Sequence, residues 1–266
     1  MKVKKSLFIA TSSFGINKKS TLDLLKRNKI NFKLNPLKRK LNANELMRLA
    51  KNNTHILAGT EMYDKKVLNN LKKLKFIFRL GSGIENLDLK ELKKRKIKII
   101  KSKVTPEIAV AELIVGMSLS LLRDLHRHNS NMKNKSWIKK MGNTIQNKKF
   151  GIIGYGKVGR YLAKILKGMG VKLFINDKIK FKLQNFKSLN YLLSKSDIIA
   201  ICMNSNGKKC FLNKNKIKKI KKDAILINTS RANLIDNNYL YSVLKSNKNF
   251  KAALDVYDKE PYFGKF

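Results

Sequence analysis

Lys148–Lys178 reads KKFGIIGYGKVGRYLAKILKGMGVKLFINDK, and this stretch decides the fold. The apolar run from Phe150 runs straight into Gly154, and Gly154, Gly156 and Gly159 spell G-x-G-x-x-G at the mouth of an amphipathic helix. Gly154 permits a tight turn, Gly156 lets the backbone approach a pyrophosphate, and Gly159 lets the helix pack closely on the strand. Tyr155, Lys157 and Val158 fill the positions between them. The helix start they build offers N–H groups and a positive dipole end to phosphates. Asp177 stands at the tip of the next strand, 18 residues after Gly159, placed to accept hydrogen bonds from an adenosine ribose. A carboxylate there repels a 2′-phosphate and favours NAD over NADP, while Lys178 and Lys180 weaken that preference. A glycine-rich turn without a ligand is the rival reading of the motif alone. Strand, helix and acidic residue in sequence favour a dinucleotide.

Working outward, the same alternation of strand and helix fills the chain. SLFIATS, NFKLN, THILAG, KFIFRLG and IKIIKS precede the fingerprint, and VKLFIND, DIIAICM, AILINTS and FKAALDVYD follow its first strand. Short apolar strands separated by amphipathic helices predict an α/β fold with parallel sheets covered on both faces. The rhythm changes after residue 103, where Pro106 predicts the start of a long helix reaching about Arg127. A polar stretch containing the sole tryptophan, Trp137, comes next. Two α/β units joined by that helix are the economical architecture.

Composition narrows the classes. The 266 residues, 43% hydrophobic, are enough for two modest domains. Cys202 and Cys210 match neither a disulfide framework nor a metal-ligand spacing, so the expectation is a reducing cytoplasm and no metal. The longest apolar run carries Glu112 and is too short to span a bilayer. The net charge of +43 suggests nucleic acid, but 51 of the 60 basic residues are lysines scattered from end to end. In LNKNKIKKIKKD, Ile217 and Ile220 mark one helix face with lysines on the solvated side. A lysine-rich composition is favoured over specific nucleic-acid binding.

Three further stretches carry a resemblance: LGSGIENLDLKELKKRKIKII (Leu80–Ile100), VTPEIAVAELIVGMSLSLLR (Val104–Arg123) and DAILINTSRANLIDNNYLYSVLKSNKNFKAALDVYDKEP (Asp223–Pro261). With the fingerprint between them, the chain resembles the D-isomer-specific 2-hydroxyacid dehydrogenases, including phosphoglycerate dehydrogenase. The resemblance implies a flavodoxin-like substrate domain over 1–102 and a Rossmann NAD-binding domain over 103–266. The connecting helix and dimer arm would occupy 103–148, making a homodimer the expected state. Gly81, Ser82 and Gly83 form a glycine loop after a strand, able to face an anion or serve as a plain turn. The family uses such a loop for the substrate carboxylate. Arg231, ending the INTSR strand, can grip a carboxylate or form a surface ion pair. The resemblance makes it the catalytic arginine, with Thr229, Ser230 and Asp255 near the nicotinamide half.

Glu260 precedes Pro261 as the family's catalytic glutamate does in its E-P pair, where it supports a protonated histidine. That histidine is expected some twenty-odd residues further on, and the sequence given ends at Phe266. His55, His126 and His128 do not match its position. The expectation is therefore a chain interrupted inside the dehydrogenase, without the helix that returns to the first domain, and impaired in turnover. Cys202, Asn204 and Ala232 also depart from the family's usual His, Pro and Gly. The implied reaction interconverts a D-2-hydroxy acid and its 2-keto acid with NAD. An NAD-sensing binding protein of the same fold is the rival.

Overall fold

The computed structural model describes residues 6–12, 14–16, 19–81, 83–102, 106–205, 210–260 and 262–266. The chain divides into two compact units, Met1–Thr105 and Pro106–Phe266. Ser82 and Pro261 of the expected site lie outside the described residues.

In the first unit, β1 (Leu7–Ile9), α1 (Lys19–Arg27), β2 (Phe32–Leu34), α2 (Ala43–Ala50), β3 (His55–Ala58), α3 (Lys65–Asn70), β4 (Phe76–Arg79), α4 (Leu89–Lys94) and β5 (Lys98–Lys101) alternate strictly. The strands pair in parallel in the order β2-β1-β3-β4-β5, which is the flavodoxin-like order. Asn42, Asp64 and Asp88 cap α2, α3 and α4, each accepting a hydrogen bond from the backbone N–H three residues on. Asn42 completes a reciprocal box with Glu45, whose carboxylate is pulled down to about 2 by Arg39 hydrogen-bonded across it. Phe8, Ile56, Ala58 and Ile77 pack with Leu46, Val67, Leu68 and Leu92 into a single core.

The second unit opens with α5 (Glu107–Arg123) and α6 (Leu125–Lys133). The expected single helix is broken at Asp124, which adopts φ +53° and so turns the chain. The polar stretch continues as helix to Lys133 and has no regular structure over 136–144. Next come β6 (Lys149–Ile153), α7 (Lys157–Gly168), β7 (Lys172–Asn176), α8 (Leu189–Lys195), β8 (Ile198–Ile201), α9 (Lys214–Ile217), β9 (Ile225–Asn228), α10 (Asn237–Ser246) and β10 (Lys251–Leu254). Their parallel order is β10-β9-β8-β6-β7. Phe186 adds a lone parallel bridge to Ile175 of β7. Counting that bridge as a vestigial third strand gives the dinucleotide-fold order 3-2-1-4-5-6.

Alternation along these strands sends side chains to opposite faces. Ile152, Ala200 and Ile227 join α5 and α7 in one core, while Ile153, Ile199, Ile201 and Leu226 join α8, α9 and α10 in another. Ile217 and Ile220 are buried in the second of these, as the LNKNKIKKIKKD pattern predicts. Among the described residues, no helix is long and apolar enough to cross a membrane.

Candidate functional site

The strand order of the second sheet reverses between β6 and β8, and a crevice opens there at the carboxyl ends. A cavity of about 550 Å³ fills it, lined by Gly154–Gly156, Asp177, Arg160, Phe181 and the segment after β8. The three glycines meet three different demands. Gly154 has φ +99°, and a Cβ there would lie 2.6 Å from the Met203 nitrogen. A Cβ on Gly159 would lie 2.1 Å from the Gly154 carbonyl oxygen, so α7 touches the end of β6 directly. Gly156 meets nothing within 4 Å. Its lack of a side chain serves no protein contact and leaves room for a ligand backbone approach. Gly156 is also the N-cap of α7, with no side chain accepting from the helix start that Lys157, Val158 and Gly159 form.

Asp177 closes the cavity beyond β7. Its Oδ2 accepts from the Tyr155 N–H at 2.6 Å and its Oδ1 from the Ile179 N–H at 3.0 Å. The carboxylate therefore ties the loop after β6 to the loop after β7.

At the tip of β9, Asn228 is 1% exposed and organises the turn that follows. Its Oδ1 accepts from the Ser230 N–H at 3.1 Å, and its Nδ2 donates to the Arg231 carbonyl at 2.9 Å. Ser230 Oγ donates to the Ile201 carbonyl at the end of β8, at 2.8 Å. Arg231 Nη1 donates to the Ser230 carbonyl at 2.8 Å. Within this braced turn, Thr229 Oγ1 is buried and has no protein partner. A buried hydroxyl left without a partner costs about 1–3 kcal/mol, so a bound group that meets it would be favoured. Together with the open space at Gly156, it fits the nicotinamide and pyrophosphate parts of a dinucleotide.

Asp255 follows β10, and its N–H donates to the Asn228 carbonyl at 3.0 Å, which places it beside that turn. The residue is exposed in area, yet its carboxyl is raised, first by partial desolvation and then by the Glu260 carboxylate. Glu260 Oε1 accepts from the Tyr257 N–H at 3.2 Å. Arg231, Asp255 and Glu260 thus share the carboxyl edge of the second sheet.

The histidines do not. His126 lies 4.0 Å from Asp124, whose other partners are Lys140 and Lys251. Lys251 is the first residue of β10, so this cluster belongs to the amino edge. His128 is on the same α6. His55 begins β3 in the first unit, its ring stacked 4.8 Å from Phe76 and its Nδ1 paired with Thr54 Oγ1. In that unit Gly81 follows β4 with φ +113°, a conformation that needs glycine. Gly83 is half-buried, and Asn86 Nδ2 holds the neighbouring loop by donating to the Glu61 carbonyl at 2.6 Å.

Sequence reasoning missed Asn228, Arg160 and Phe181. A polar residue closing an otherwise apolar strand was the available signal for Asn228. Arg160 and Phe181 lie 21 positions apart and meet only in space.

Residues 115–265 match the family model described as D-isomer specific 2-hydroxyacid dehydrogenase, NAD binding domain. Hydroxypyruvate reductase of Thermotoga maritima is 32% identical over 196 residues, covering 71% of this chain and 64% of that protein. Glyoxylate reductase of Thermococcus litoralis is 30% identical over 223 residues, covering 77% of this chain and 66% of that protein. The chain therefore spans just under two thirds of the length of these relatives. The apo-structure of D-lactate dehydrogenase from Escherichia coli superposes with a TM-score of 0.83 at 25% identity, covering 96% of this chain and 83% of that one.

Proposed function

Because the chain belongs to the D-isomer specific 2-hydroxyacid dehydrogenase family, we propose that it serves the NAD-dependent interconversion of a D-2-hydroxy acid and its 2-keto acid. The observation that carries this reading is the Asn228-braced turn, which sets the partnerless Thr229 hydroxyl and Arg231 on the same sheet edge as the dinucleotide cradle. Bound NADH supplies the hydride for the carbonyl carbon. Arg231 grips the substrate carboxylate and polarises its carbonyl, with its backbone already held by Asn228. Ser230 anchors the turn to β8, and Thr229 and Asp255 border the nicotinamide half. In the first unit, the Gly81–Gly83 loop is suited to bind an anionic group through backbone N–H groups.

Glu260 is a positioning group, suited to holding a cationic imidazole in place. His126 lies at the amino edge of its sheet, His128 on the same helix, and His55 at the amino edge of the first sheet. We assign none of them the proton transfer, so these 266 residues turn over slowly. The same placement supports a second reading, nucleotide sensing without catalysis. We further assign a homodimer joined through the 103–148 arm, where Trp137 and Met141 are each 84% exposed, and a cytoplasmic location.

The test combines calorimetry with NADH and assays of NADH oxidation with glyoxylate, hydroxypyruvate and phosphohydroxypyruvate. Free imidazole should raise the slow rate roughly tenfold, below the factor of about 10²–10⁴ that a positioned acid supplies, and Arg231→Ala should abolish it. Binding with no imidazole response on any substrate favours the sensor. No heat with NADH sinks both readings.

A further inference from the structure

We propose that the adenosine end of this cleft also accepts a 2′-phosphate, with Arg160 as its recognising cation, so that the chain binds NADP(H) as well as NAD(H). The inference rests on the dinucleotide reading above and concerns one corner of the same cavity. Arg160 sits in the first turn of α7, and its Nε donates to the Tyr155 carbonyl at 3.1 Å. Its guanidinium lies 5.6 Å from the Tyr155 ring centre and 5.3 Å from that of Phe181. The two rings are themselves 5.3 Å apart, edge to face at 70°. A long, exposed side chain thus lies near two aromatic rings before any ligand arrives. Part of its ordering entropy is lost on folding rather than on binding. The Nε bond uses one of the five guanidinium N–H donors, and the terminal nitrogens carry the rest.

Asp177 would ordinarily reject a 2′-phosphate by charge. Here each of its oxygens already accepts a backbone N–H, from Tyr155 and from Ile179, which disperses its negative charge. Tyr155 binds both partners, Asp177 through its N–H and Arg160 through its carbonyl. Tyr155 thus links the carboxylate and the guanidinium. Lys178 lines the same cavity, whose lining then includes two cations and one carboxylate. A phosphate monoester brings close to two negative charges at neutral pH. The long-range field of a chain with net charge +43 also favours the more anionic nucleotide. A purely structural Arg160, packed on two rings, makes a different prediction, because its loss would weaken both nucleotides alike.

Calorimetry on the 266-residue chain decides between them, using NADH, NADPH, 5′-AMP and adenosine 2′,5′-bisphosphate. NADPH should bind within about tenfold of NADH. Arg160→Gln should weaken NADPH and the bisphosphate by about 10- to 100-fold, the range of a lost charge-assisted hydrogen bond, and at least about tenfold more than it weakens NADH and 5′-AMP. Arg160→Lys, which keeps the charge, should restore part of the loss. NADPH binding weaker than this, or parallel losses on both nucleotides in Arg160→Gln, overturns the proposal and leaves NAD binding intact. Failure of all four ligands overturns the dinucleotide reading itself, and this proposal with it.

Discussion

In the second sheet every residue of β8 and β9 is buried, whereas β3 and β4 of the first sheet bury only alternate residues. The second sheet has a core on each face. Among the described residues, the first has one core, built from Phe8, Ile56 and Ile77 with α2, α3 and α4. On its other face His55, Phe76 and Phe78 form a half-buried row with ring separations of 4.8 to 6.5 Å. Beside that row, Lys98 sits over Phe76 and Ile100 is 46% exposed. Parallel sheets are normally covered on both sides. Two sheets of similar topology thus reach different degrees of enclosure, and the more enclosed one carries the dinucleotide cavity. Preorganising a binding edge is easier on strands that cannot shift.

The largest expected effect tests this contrast directly. Phe150→Ala, at a fully buried position of β6, should cost about 4 kcal/mol in urea unfolding followed by circular dichroism. Phe78→Ala, on the half-open face, should cost about 1–2 kcal/mol, because much of its ring is already near water. Equal costs would break the comparison.

A smaller effect concerns how the amino edge of the second sheet is fastened. Asp124 accepts from Lys140 of the arm and lies 3.6 Å from Lys251 of β10. The hydrogen bond from Lys140 comes first among the causes that hold its carboxyl below the usual range, outweighing desolvation, and Lys251 adds to it. A depressed carboxylate stabilises the fold above its unfolded pKa, near 3.9, and that stabilisation is lost as pH falls through the folded value. Asp124→Asn should therefore cost about 2 kcal/mol at pH 7, a partly exposed ion pair lying between the surface and buried limits. The gap between variant and wild type should narrow as pH falls below about 4. Denaturation at pH 7, 5 and 3 checks the sign, and a gap that widens in acid would refute it.

The smallest effect leaves stability untouched. Burial of the Cys202 thiol at the end of β8 pushes it up to about 12, although the residue as a whole is partly exposed. Cys210 is exposed. Iodoacetamide at pH 8 should label Cys210 first and Cys202 at least about 100-fold more slowly, as read by mass spectrometry, because the thiolate is the reacting species. Comparable labelling would show that the tip of β8 is looser than its burial implies.

The parts legible in the sequence were those whose causes are local. Gly154, Gly156 and Gly159 announce the cradle because each needs glycine within a single turn, and Asp177 follows at strand distance. The parallel α/β class was legible from short apolar runs separated by amphipathic helices. Three-dimensional relations were not. HILA and FIFR read as covered parallel strands, and only tertiary packing shows that one of their faces is half open. Asp124 gave no warning of its left-handed turn, nor of its ion pairs with Lys140 and Lys251, 16 and 127 positions away. FKLQNF lacks an apolar run, so the edge strand that shrinks to one bridge at Phe186 was invisible. Glycine 81 was legible as a turn, whereas Asn228's hold on Thr229–Arg231 needed the folded chain.

The unequal settings of Gly156 and Gly159 bear on how this chain would decay under relaxed selection. Alanine at Gly156 meets only empty space, so it could become established without harming the folded polypeptide. Alanine at Gly159 would collide with the Gly154 carbonyl and be purged for misfolding alone. A lineage that had abandoned the nucleotide would therefore erase the middle glycine of its signature long before the last one.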